Sequence, residues 1–126
     1  MRELTSHKVN GLNESLRIDV LDAPGQGGAS HVYGIVSTEP RSSDVPPAVM
    51  LPIRFQDGPI QDAGVNGISQ EALLAIVEDR LQGFQSGPFA CRENAVALTK
   101  IQEAMMWLQK RTMDRMKRGV EGTNQK

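Results

Sequence analysis

The sequence is poor in the groups that most often carry chemistry or cross-links. Cys91 is its one cysteine, so no internal disulfide can form and a reducing compartment fits. Histidine occurs twice, as His7 and His31. Two distant histidines and one thiol make no recognisable metal-ligand set. Aromatic residues are 4% of the chain and the hydrophobic fraction is 39%. A core this thin, in 126 residues, suits one domain that leans on a partner subunit. No apolar run approaches the roughly 20 residues that span a bilayer, and residues 1–20 lack the apolar stretch of a signal peptide. The expectation is a soluble, intracellular protein with no membrane partner.

The chain also lacks a strong net charge, at −1, which disfavours a generic nucleic-acid coat. Its distribution says more. Residues 1–68 hold five Lys/Arg against eight Asp/Glu, and residues 69–126 hold nine against seven. Within the second half, Lys110, Arg111, Arg115, Lys117 and Arg118 surround a single acid, Asp114. A basic patch of this size can serve a small anion on an otherwise neutral chain.

Hydrophobic periodicity divides the chain near residue 68 into a β-like region (1–68) and a helical region (69–126), expected to form a single compact unit. Residues 1–13 carry no clear pattern. Leu16 to Val20 alternates strictly, as a half-buried strand does. Pro24-Gly25-Gln26-Gly27-Gly28 interrupts it, and His31 to Ser37 reads as a second strand. Thr38 to Pro47 reads as a loop. Val49, Leu51, Ile53 and Phe55 mark a third strand, which Pro52, with no N–H to give, places at an edge or gives a bulge. Asp57-Gly58 predicts a tight hairpin turn, with Ile60 to Val65 pairing back antiparallel. Ser69 predicts a helix N-cap with Glu71 in the first turn, followed by an apolar stripe of Leu73, Ile76, Val77, Leu81 and Phe84. Pro88 suits the first turn of a second helix over about Phe89 to Arg118. That helix carries a stripe of Leu98, Ile101, Met105, Leu108 and Met116. Ala97, Ala104, Trp107, Met106 and Met113 lie on other faces. One helical partner cannot cover them all, so the sequence points to self-association.

Each candidate motif has a plain reading beside a functional one. The glycine run Gly25 to Gly28 resembles a phosphate loop, whose backbone N–H groups approach an anion. It lacks the Gly-Lys-Ser/Thr ending of a P-loop, and a simple strand connection explains it as well. Cys91 beside Arg92 near a helix start favours a thiolate, yet a nucleophile needs a base, and no spacing ties it to His7 or His31. Paired carboxylates such as Glu78-Asp79 fit a solvated helix face. No catalytic constellation emerges, so no catalytic residue, metal or cofactor is expected. The basic run from Lys110 to Arg118 suits either a solvated helix end or phosphate binding. Asn94 and Phe84 add a group that reads a base or ribose edge and a ring that stacks.

A resemblance follows from these residues. The series Phe55-Gln56-Asp57-Gly58-Pro59-Ile60, Gly64-Val65-Asn66-Gly67, Glu71-Ala72-Leu73-Leu74, Leu81-Gln82-Gly83-Phe84-Gln85, Cys91-Arg92-Glu93-Asn94-Ala95, Leu98 through Leu108, Lys110-Arg111 and Arg118 through Thr123 resembles the phage anti-Thoeris sponge proteins. Their C-terminal helical hairpin is shared with anti-CBASS sponges. The resemblance covers residues 55–123 well and 16–36 loosely. It implies an α+β fold, a small antiparallel sheet followed by a two-helix antiparallel hairpin, assembled as a hexamer from three dimers. It implies capture, without degradation, of a small cyclic nucleotide ligand in the host cell cytoplasm: glycocyclic ADP-ribose isomers, cyclic di- or trinucleotides, or both. Carried over by motif, Phe84, Asn94 and Arg111 grip the ADP-ribose isomer. Arg17, Arg54 and the loop with Gln26, Gly27 and Gly28 are candidate N-terminal contributors. Arg92 and Thr99 are the candidates for a trinucleotide pocket where three protomers meet. Two rival readings stand beside this one. One is an enzyme that degrades cyclic nucleotides through Cys91 or His31. The other is a phage accessory protein that binds nucleic acid through the basic helix.

Overall fold

The computed structural model describes residues 1–25, 27–38 and 50–126. Gln26 and the segment 39–49, which hold a candidate loop residue, most of the expected Thr38–Pro47 loop and Val49, lie outside the described residues. Strands β1 (Arg2–Leu4), β2 (Leu16–Val20), β3 (Val32–Ser37) and β4 (Met50–Arg54) form one antiparallel sheet in sequence order. Helices are α1 (Gly11–Glu14), α2 (Ile60–Ala63), α3 (Gln70–Gln85) and α4 (Arg92–Arg118). The chain divides into two units: Met1–Gly58 with Val65–Ile68, and Pro59–Gly64 with Ser69–Lys126. The expected α+β class, an antiparallel sheet followed by helices, is what the fold contains.

In the sheet unit, the alternation of β2 sets the register. Ile18 faces Ile35, and Val20 faces Tyr33. Val20 is 1% exposed and Val36 8%, and they are the buried apolar side chains among the described residues. The core is as thin as the composition implies. Tyr33 extends it by setting its ring edge-on to Phe55, with centroids 5.7 Å apart. Pro52 sits on β4, the sheet edge, paired with Gly34. There a missing N–H costs no inward ladder bond.

Two expectations for this region fail. Residues 1–13, read as patternless, contain β1 and α1. Strand β1 pairs Arg2 with Val20 and Leu4 with Ile18, and α1 is opened by Asn10, whose side chain accepts from the Asn13 N–H. The predicted return strand Ile60–Val65 is instead the short helix α2. Gly58 does take the positive φ a turn needs, at 88°. The Asn66 side chain, however, occupies both backbone groups of Asp57, accepting from its N–H at 2.8 Å and donating to its carbonyl at 2.7 Å. The Gln56 amide accepts from the Asn66 N–H at 2.9 Å. The strand-like return falls to Ile68, which bridges Phe55 in parallel, donating to the Arg54 carbonyl and accepting from the Gln56 N–H.

In the helical unit, Ser69 caps α3 as expected, its hydroxyl accepting from the Ala72 N–H at 3.1 Å. The second long helix begins at Arg92 rather than Phe89. Pro88 therefore lies in the connection, and Cys91 is the residue that turns the chain into the helix. Its backbone is extended, and its Sγ accepts from the Asn94 N–H at 3.4 Å. Helix α4 ends in a Schellman turn at Gly119, φ 73°. The Val120 N–H reaches the Arg115 carbonyl, and the Gly119 N–H reaches that of Met116. Among the described residues, no helix is long and apolar enough to cross a membrane.

Candidate ligand-binding site

Helices α3 and α4 pack as a hairpin. The more buried positions of α4 are Ala95 and a row of Asn94, Leu98, Ile101, Met105, Leu108, Thr112 and Arg115, the row stepping by four and three. Those of α3 include Glu71, Leu74, Glu78, Leu81 and Gln85, on the same step. This spacing lets two antiparallel helices interlock along one seam. The predicted α3 stripe therefore splits. Leu81 lies on the seam, while Ile76 (59% exposed), Val77 and Phe84 lie outside it. On α4, Met116 leaves the predicted stripe, and Thr112 and Arg115 continue the row instead. Val96, Met106, Trp107 and Met113 are exposed as well.

The connection between the helices carries Phe84 and Asn94. Phe84 is the penultimate residue of α3, and Asn94 the third of α4, so both belong to the turn end of the hairpin. Gln85 closes this turn by accepting from the Cys91 N–H at 3.0 Å. Phe84 is exposed, and the Arg80 guanidinium lies 5.5 Å from its ring centroid, a cation–π distance. One ring face thus carries a positive group.

Arg111 lies seventeen residues beyond Asn94 on α4, which at the helical rise places it about 25 Å away along the axis. One chain does not bring Arg111 to Phe84 and Asn94. Arg111 instead lines a hollow of about 460 Å³ with Trp107, Lys110, Asp114, Arg115, Arg118 and Lys126. Within it, Lys110 donates to Asp114 at 2.8 Å. That bond, with the lysine charge, holds the Asp114 carboxyl below its usual range and neutralises the one acid in the patch. Arg115 proves not to be a free member of the basic run. Its side chain is buried, and it donates to the Glu121 carboxylate at 3.1 Å and to the carbonyls of Val120 at 2.8 Å and Thr123 at 2.9 Å.

Arg92 and Thr99 are exposed. Seven residues apart, they share one face of α4 about 10 Å apart along it. The Thr99 hydroxyl donates to the Ala95 carbonyl at 3.2 Å, leaving its oxygen lone pairs outward.

The N-terminal candidates belong to the sheet unit. Arg17, opposite Val36, donates through Nε to Asp19 at 3.1 Å, while Arg54 pairs with Val32 at the other end of β3. Strand geometry puts them on one sheet face but about 13 Å apart along the strands and about 10 Å across them. The glycine loop closes on itself. Gly28 donates to the Gly25 carbonyl at 3.0 Å and Gly25 to that of Ala29 at 2.9 Å, so those two N–H groups serve the connection. Gly27 and Gly28 both take φ 91°, which this tight turn requires.

Asp22 anchors the loop. The Val32 N–H bonds its carboxylate at 3.0 Å, and the His31 N–H reaches both its oxygens at 2.9 and 3.0 Å. Chiefly the Val32 bond, opposed by some desolvation and aided by His31, lowers its pKa. The His31 ring lies 3.8 Å from Asp22 through Nδ1 and 3.8 Å from Asp57 through Nε2. Cys91 is exposed and acts as a helix cap. Among the described residues no group of three or more His, Cys, Asp or Glu is placed to hold a metal. The sequence reading missed Arg115 as a structural group. Its signal was Gly119 directly after Arg118, a glycine that turns the following chain back over the helix.

Comparison with known proteins bears directly on this hairpin. The chain is 55% identical over 74 residues to Thoeris anti-defense 1 of Bacillus phage SBSphiJ7, an overlap of 59% of this chain and 52% of that protein. It thus spans about half the length of the curated relative it matches. Residues 50–113, covering β4, α2, α3 and most of α4, match the family model described as Acb2/Tad1, hairpin domain, and the chain belongs to that family.

Proposed function

We propose that this chain is a phage anti-defence protein that captures cyclic nucleotide immune signals and holds them intact. The observations that carry the reading are its 55% identity over 74 residues to a Thoeris anti-defense protein and the match of residues 50–113 to the hairpin family. The ligand is a ring that joins a base to phosphates, either a glycocyclic ADP-ribose isomer or a cyclic di- or trinucleotide. Phe84 stacks on the base, Asn94 reads a polar edge of the base or ribose, and Arg111 offers a planar fork to a phosphate.

Geometry supports a site shared between copies. With about 25 Å of helix between Asn94 and Arg111, one hairpin end supplies the ring and amide, and a second copy supplies the arginine. Two hairpins related by a twofold axis and lying antiparallel put unlike ends side by side, and generate the site twice. The exposed Ile76 and Val77 of α3 and Trp107 and Met113 of α4 give such copies apolar surface to bury. Three dimers make a hexamer, and Arg92 and Thr99 then face a threefold junction that suits a cyclic trinucleotide.

A sponge must outbind the host receptor, which sets a nanomolar scale, about −12 kcal/mol. Charge-assisted contacts and stacking in a closed pocket reach it without catalysis. The test is to load the purified protein with glycocyclic ADP-ribose and, separately, with cyclic di- and trinucleotides, wash, denature and analyse the released compound. Stoichiometric release of intact ligand is expected. Release of cleaved product would make the protein an enzyme, and no retention would end the reading.

A further inference from the structure

The basic run on α4 contains one cation that does not face solvent. Arg115 is 7% exposed, and its guanidinium is committed to the chain that follows the helix. Nε donates to the Glu121 carboxylate, Nη2 to the carbonyls of Val120 and Thr123, and Nη1 to that of Gln125. A planar fork with five N–H donors suits this task, which a lysine ammonium cannot reproduce. The segment is held from its other side too. The Gln61 N–H of α2 donates to the Gly122 carbonyl at 3.0 Å, and Gly122 turns there with φ 82°. Arg118 extends the arrangement by donating through Nη2 to the Lys126 carbonyl. The result is that Lys126 joins Arg111, Lys110 and Trp107 around the hollow.

We infer that Arg115 is a positioning residue for the Arg111 hollow: by pinning residues 120–126 onto α4 it makes that segment a wall of the anion site. The inference rests on the proposed role of Arg111 in binding the cyclic ligand. A wall held by four bonds from a buried guanidinium restricts the rotamers beside Arg111 and narrows the solvent around its guanidinium. Preorganisation of this kind raises affinity without a direct contact. Four of the five Arg115 N–H donors are spent on the segment, so although Arg115 borders the hollow it acts on the ligand through that segment.

The test uses the full chain, Arg115→Lys, Arg115→Met, a chain ending at Gly119, and that shortened chain with Arg115→Lys. Each is titrated with glycocyclic ADP-ribose by calorimetry. The two full-length variants and the shortened chain should each bind roughly tenfold or more weakly than wild type. On the shortened chain, Arg115→Lys should add nothing. Amide exchange in residues 120–126 should rise in Arg115→Lys while α3 and α4 stay protected. A direct electrostatic role predicts the opposite pattern, with lysine keeping most of the affinity and the effects of lysine and truncation adding. That pattern, or wild-type affinity in the shortened chain, overturns the inference while leaving the ligand reading standing. The shortened chain retains Arg115, so its result decides the matter even if Arg115→Met fails to fold. A wild-type chain that binds no ligand overturns both.

Discussion

A Cβ placed on Gly67 would stand 2.5 Å from the carbonyl carbon of Phe55 and 2.6 Å from its oxygen. The two backbones approach because Ile68 bridges Phe55 while Asn66 holds Asp57, and only a residue without a side chain lets them meet. Gly67→Ala should therefore destabilise the sheet unit by about 2–4 kcal/mol, since the contact is with backbone and cannot be relieved by a rotamer change. Gly11→Ala is the control, because beyond its chain neighbours and its own helix backbone no atom lies within 4 Å of the added carbon. Urea denaturation of both variants checks this. Equal midpoints for Gly67→Ala and wild type would mean that the approach is not part of the folded state.

That contact also shows where the sequence is legible and where it is not. Strand β2 announces itself because its alternation has a period of two over five residues, and α3 because Ser69 caps an apolar run. Strand β1 has three residues and no period; only its pairing with Ile18 and Val20 makes it a strand. Helix α2 follows Asp57-Gly58, which reads locally as a hairpin. The choice is made by the Asn66 amide, a partner nine residues away. Arg115 looks like its basic neighbours until Gly119 returns the chain over it. For the proposed site, Phe84, Asn94 and Arg111 come from the family resemblance, not from residue type or periodicity. Their separation follows only once α4 is known to be one unbroken helix from Arg92 to Arg118.

The separation has a direct consequence. Phe84→Ala and Arg111→Ala should each abolish binding of glycocyclic ADP-ribose, with the particle still several times 13.8 kDa in solution. Co-expressed together, they should recover about a quarter of the wild-type capacity, because half of randomly formed twofold pairs are mixed and each mixed pair has one intact site. Calorimetric stoichiometry measures this. A site contained within a single chain would recover none.

Asp22 gives a pH dependence of known sign. Its carboxylate accepts from the Val32 and His31 N–H groups, and its pKa is lowered in the folded chain. The unfolded chain therefore binds a proton at Asp22 at higher pH than the folded one does. The stability it contributes is present above the ordinary carboxylate range and is lost as pH falls toward its depressed value. Wild type should lose urea midpoint more steeply than Asp22→Asn between about pH 5 and about pH 3, since asparagine has no such proton to take up. Parallel pH curves for the two chains would show that Asp22 does not carry this dependence.

Cys91 separates capture from chemistry most cleanly. Its Sγ accepts from the Asn94 N–H at 3.4 Å, at the first turn of α4. This is a helix cap made by a weak acceptor, and serine places a stronger one on the same stem. Cys91→Ser should raise stability by about 0.5 kcal/mol, seen as a higher melting midpoint. Because Asn94 keeps its backbone position, ligand capture and intact release should match wild type. Wild type that released cleaved product while Cys91→Ser released the ligand intact would restore the thiol as a reactive group and favour the degrading enzyme over the sponge.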